Sequence, residues 1–151
     1  MKITKIKVRH ISTILQGIGG MTKEGLLFDV SYWLIRDMDF LTSEGRRCEK
    51  KRIEIVLKYV KKDKDGKPIL KNEGKAYDIE NEKEFNKEIN ELLETEVDIK
   101  LKTFKLNDFK KAYISMENLV KIKPIIEDWE KESKAILDLG IKKKVNNKEG
   151  E

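Results

Sequence analysis

One stretch, residues 29–62, constrains what this chain can fold into more than any other. Leu34, Met38, Leu41, Gly45, Cys48, Arg52, Ile55 and Tyr59 step by alternating fours and threes, a heptad-like seam sustained over more than three repeats. Asp29 stands where an N-cap belongs, so the spacing predicts a helix from Val30 to Lys62. At about 1.5 Å per residue that helix is roughly 50 Å long, more than a small domain is wide. Trp33, Phe40, Ile53, Val56 and Leu57 widen its apolar surface at both ends. Thr42 to Lys51 carries almost nothing large and apolar, and a break at Ser43–Gly45 competes with continuity because glycine costs about 1 kcal/mol inside a helix. The continuous helix is the reading adopted. A seam that roughly 100 other residues cannot cover along its whole length predicts a contact surface for a second copy or another protein. Its candidate contact residues are Leu34, Met38, Leu41, Cys48, Ile55 and Tyr59.

Shorter elements surround it. Residues 2–8 alternate as a strand, and Ile11, Ile14, Leu15 and Ile18 form a helical stripe that Gly17, Gly19 and Gly20 are expected to stop. Lys62 to Pro68 is a turn, in which Asp63 and Asp65 bond the local backbone and Gly66 supplies positive φ. Residues 69–79 read as a hairpin around Lys71–Gly74. Asn81 with Glu84 starts a helix whose stripe is Phe85, Ile89, Leu92 and Leu93. Val97, Ile99 and Leu101 make a strand with one wet face, and the slip in parity to Phe104 and Leu106 predicts a bulge near Thr103. Ser115 caps a short helix and Pro124 restarts it. Ile125, Ile126, Trp129, Ser133, Ile136 and Leu137 give a last helix closed by Gly140. The fold class is α+β: one long amphipathic helix, shorter helices, and a small mixed or antiparallel sheet from 2–8, 69–79 and 97–106.

Of 151 residues, 38% are hydrophobic and 40% charged, a thin core under a heavily solvated surface. That fits one domain over 1–141 with a polar tail at 142–151. No run nears the ~18 apolar residues of a membrane span, and no apolar stretch near Met1 reads as a signal peptide. A lone Cys48 excludes an internal disulfide framework and a cysteine zinc site, and fits a reducing cytoplasm. With His10 the single histidine, no histidine-based dyad or metal site is expected. The Gly17–Gly20 cluster lacks the spacing of a phosphate loop, and Asp63–Gly66 lacks the later ligands of a calcium loop. The chain is therefore read as non-enzymatic, without metal or cofactor and without a membrane segment.

Charge is segregated along the chain. The net +5 divides into a basic 44–75, an acidic 78–98 and a basic 99–123, blocks that can neutralise one another in the fold or across an interface. Only five of the 33 cationic residues are arginine, which weakens a case for specific nucleic-acid readout. Arg46, Arg47, Lys50, Lys51 and Arg52 are the residues such an alternative would use. The acidic 80–98 face, with Glu84, Glu88 and Glu91, suits a third reading, an inhibitor presenting a nucleic-acid-like surface to a host defence or replication enzyme.

The run Lys58-Tyr59-Val60-Lys61-Lys62-Asp63-Lys64-Asp65-Gly66-Lys67-Pro68, then Tyr77-Asp78-Ile79 and Glu84 to Ile99, resembles small uncharacterised proteins of tailed phages and prophages of low-GC bacteria. The match is best over residues 50–100. It implies a phage context, in the cytoplasm of the bacterial host or in the virion, and carries no site residues. The expectation is a phage-encoded interaction or assembly protein acting by helix packing and complementary charge.

Overall fold

A computed structural model describes residues 1–134 of the chain. Strand β1 (Lys2–Lys7) leads directly into helix α1 (Val8–Met21), and α2 (Phe28–Tyr59) runs as one continuous helix of 32 residues, about 48 Å at 1.5 Å per residue. A hairpin, β2 (Leu70–Lys71) and β3 (Ala76–Tyr77), precedes α3 (Glu82–Glu94), strand β4 (Glu96–Leu101) and the short helix α4 (Met116–Lys121). The architecture is α+β, with one long helix, as the sequence predicts.

The core gathers where α1 crosses α2 over the inner face of the β1–β4 ribbon. Ile11, Ile14, Ile18 and Met21 of α1 meet Leu34, Leu41 and Cys48 of α2, with Ile6, Ile99 and Leu101 beneath. Burying each large aliphatic side chain contributes about 1.5–3 kcal/mol, so this crossing is the main apolar source of stability.

Several expectations are corrected. The strands form two separate antiparallel pairs and no single sheet: β1 with β4, Lys2 opposite Leu101, and β2 with β3. The hairpin is instead tied to the end of α2, where Val60 bridges Ile79 and the Lys61 N–H donates to the Asp78 carbonyl at 2.8 Å. That pairing ends the helix at Tyr59, short of Lys62. Asp29 is not the N-cap; Leu27 holds that position and Asp29 lies in the first turn, where its charge still suits the positive helix terminus. Of the residues that widen the apolar surface of α2, Val56 is buried and Trp33 half-buried, while Phe40, Ile53 and Leu57 lie exposed. The bulge expected near Thr103 is a strand end. The Lys102 N–H turns to the Asp37 carboxylate at 3.0 Å, and Phe104 forms a parallel bridge with Ile126.

The glycines do not stop α1, which continues through all three to Met21. A Cβ on Gly17 would lie 2.8 Å from Lys121 Cβ, 2.9 Å from Ile122 Cγ2 and 3.0 Å from the Asn118 carbonyl oxygen. Gly17 and Gly20 are where α4 presses onto α1, and they are absent side chains rather than turn formers. The last helix begins at residue 129, after a 3₁₀ turn at Lys123–Ile125, and Ile136, Leu137, Gly140 and the polar tail lie outside the described residues. The caps at Asn81 and Ser115 form as expected, accepting from the Glu84 and Asn118 backbone N–H groups.

Candidate interaction surface

Most of the α2 seam faces inward, Arg52 being exposed. Leu34 and Leu41 are fully buried and Cys48 is 7% exposed, all three beneath α1, while Met38, Ile55 and Tyr59 are half-buried. Tyr59 packs edge-on against Phe85 and donates its hydroxyl proton to Glu88 at 2.7 Å. Of the six expected contact residues, Leu34, Leu41 and Cys48 are thus packed within the chain, and Met38, Ile55 and Tyr59 keep part of their surface. The stripe was long enough to outrun a small domain, but α1, α3 and β4 of the same chain lie against it.

Cys48 lies in a narrow apolar crevice among α1, α2 and α3. Burial pushes its thiol above the ordinary value and Glu44 adds to the rise, with Lys51 opposing weakly, so the neighbouring cations do not activate it. His10 is half-buried near Lys5, Lys7 and Glu127 at the start of α1. Among the described residues, no group of His, Cys, Asp and Glu side chains is arranged to hold a metal ion.

The charge blocks meet within the fold. On α3, Glu82 pairs with Lys71, Glu88 with Lys58, and Glu94 with both Lys7 and Arg9. Hydrogen bonds from these cations hold Glu88 and Glu94 below the usual carboxylate range. The acidic 80–98 face is thus partly neutralised; Glu91 stays exposed and Glu84 half-buried. On α2, Arg46, Arg47, Lys50, Lys51 and Arg52 are all exposed, with Arg47 held to Glu44 and Arg52 to Glu49.

Apolar surface reaches solvent elsewhere, on both sides of a 3₁₀ turn at Leu106–Phe109. On one side is a cavity of about 520 Å³ lined by Leu27, Val30, Trp33 and Phe104 and by the charged Asp29, Lys102, Asp108, Lys110 and Lys111. Phe28, 82% exposed, stands beside it at the start of α2. On the other side a groove of about 380 Å³ runs between the turn, α4 and the 129–134 helix, lined by Leu106, Phe109, Met116, Leu119, Val120 and Trp129. Met116 is 59% and Val120 46% exposed, and Tyr113 projects nearby at 91%. Lys110 borders both hollows.

This face is held from behind. Glu24, just past α1, accepts from the Ser115 N–H and from Asn118 Nδ2, each at 3.0 Å, which draws its carboxyl below the usual range and fastens α4 to α1. The Gly17 and Gly20 crossing lies directly behind the same helix. Sequence reasoning missed this surface because its apolar residues come from three segments too short to show a period. It also missed Asp37, a fully buried carboxylate between Leu34 and Leu41 on the inward stripe of α2. The signal was present: an acid at i+3 from one core leucine and i−4 from the next.

Comparison with protein-family models, with curated proteins and with solved structures finds no match to this chain. No helix among the described residues is long and apolar enough to cross a membrane.

Proposed function

We propose that the protein is a non-enzymatic interaction module that docks another protein chain on the two-hollow face around the Leu106–Phe109 turn. The observation that supports this best is the exposure of Met116 and Val120 in the apolar groove, with Phe28 and Tyr113 exposed in adjoining segments. An exposed apolar groove on a chain that is 40% charged supports a contact site. Helix packing and complementary charge remain the mode of action, moved from the α2 seam to α4 and the start of α2. The resemblance over residues 50–100 supports a phage or prophage setting, with a phage or host protein as the partner.

A photo-crosslinking residue in place of Met116 or Phe28, expressed in the native host, tests the proposal. Adducts of one defined mass are expected from both positions and none from Ser43, which is exposed on α2 away from the hollows. Adducts from Ser43 alone, or from no position, contradict it.

A second reading rests on the exposed cations of α2. If Arg46, Lys50 and Lys51 hold nucleic acid, affinity falls steeply with salt through counterion release. Affinity that stays flat between about 50 and 200 mM salt removes this reading.

A further inference from the structure

We infer that Asp37 is a pH-operated latch on the segment Lys102–Phe104: as a neutral acid it keeps the segment closed against α2, and as a carboxylate it lets the segment open to water; this does not rest on the docking role proposed above. Asp37 is fully buried on the inward stripe of α2. One oxygen accepts the Lys102 N–H at 3.0 Å, and the other has no hydrogen-bond partner among the described residues. A neutral acid occupies such a setting at modest cost, whereas a buried carboxylate with an unsatisfied oxygen is strongly penalised. The charged groups whose fields reach it are Arg36 on α2, Lys102 at the exit of β4 and the amino group of Met1 before β1. Among the described residues none of the three forms an ion pair with it.

The part that yields is the segment and not the helix. Asp37 lies well inside a helix of 32 residues, whereas Lys102–Phe104 is the irregular exit from β4. Its far end is fastened separately: the Phe104 N–H donates to the Ile125 carbonyl at 2.9 Å, and the Glu127 N–H donates to the Phe104 carbonyl at 2.8 Å. Lys102, Phe104 and Trp33, one helical turn before Asp37, all line the 520 Å³ hollow. Displacing the segment therefore brings water from that hollow to the unsatisfied oxygen. In the closed form burial raises the carboxyl to about 6 from 3.8, and hydration returns it toward the ordinary value. Opening should then be favoured by about 50-fold more at pH 7.5 than at pH 4, with the closed form still the majority.

Amide hydrogen exchange of the full chain at pH 4 and pH 7.5, expressed as protection factors, tests the latch. The Lys102 and Phe104 amides are expected to lose about 50-fold in protection between the two. At pH 7.5 they should also exchange at least about 10-fold faster than the Leu41 and Ile14 amides, and at a rate that low denaturant does not change, because a local opening exposes little surface. Asp37→Asn should remove the pH dependence at Lys102 and Phe104. Exchange of these two amides with the same protection and denaturant slope as Leu41 would mean that the charge is relieved only by global unfolding, and overturns the latch. Protection that does not change with pH overturns it as well, and so does a change that persists in Asp37→Asn, which assigns the titration to another group. The comparison with Leu41 is made on the parent protein and decides between local and global opening without the variant.

Discussion

Gly17→Ala is expected to lower the unfolding free energy by about 1–3 kcal/mol, the cost of forcing one extra carbon into a closed contact. Two of the three atoms that the new Cβ would meet, Lys121 Cβ and the Asn118 carbonyl oxygen, belong to or adjoin the α4 backbone and cannot swing aside. The helix must move outward as a unit, which strains the Glu24 bonds to Ser115 and Asn118. Gly45→Ala is the matched comparison. There the added carbon meets one atom, Ile11 Cγ2 at 3.4 Å, and the residue is well inside α2. Removing a helical glycine should then raise stability by up to about 1 kcal/mol. Denaturant midpoints of the two variants measure both effects. Equal and small shifts would mean that α4 does not press on α1 as described.

Asp37 sets the second large effect. Its carboxyl is pushed up to about 6 from 3.8, chiefly by burial, with the Lys102 N–H, the chain's amino terminus, Arg36 and Lys102 pulling the other way. One oxygen accepts the Lys102 N–H and the other has no partner. The folded protein therefore holds this proton more tightly than the unfolded chain does. The penalty for the charged form is absent below about pH 4, grows through pH 6 and is complete above it, about 3 kcal/mol over a shift of this size. Asp37→Asn keeps an acceptor for Lys102 and removes the charge. Its stability relative to the parent protein should rise by about 3 kcal/mol between pH 4 and pH 7.5, measured by chemical denaturation at each pH. A difference that does not change with pH contradicts a buried, charged Asp37.

What the sequence shows of this fold divides by range. The continuity of α2, the caps at Asn81 and Ser115 and the hairpin around Asn72–Gly74 depend on neighbours within a few residues, and all are readable locally. Gly17 is not. Its role depends on Lys121 and Asn118, about a hundred positions away, and a glycine in a helix has the same local signature whether it ends the helix or admits a neighbour. The heptad pattern finds Leu34, Leu41 and Cys48 among the buried residues of α2, misses Asp37 and Val56, and says nothing about which chain buries them. The interaction face was illegible because Phe28, Trp33, Met116 and Trp129 lie in separate segments with no shared period.

The central claim is that this chain covers the Leu34–Leu41–Cys48 part of its own long helix, and Cys48 reports on it directly. The thiol lies in the seam under α1, and it is the single cysteine of the chain. Its rate of modification by a soluble thiol reagent should be at least about 100-fold below that of the unfolded chain, and the same at about 0.1 µM and about 100 µM protein. A thiol that is protected when concentrated and reacts freely when dilute would mean that a second molecule, not α1, shields the seam.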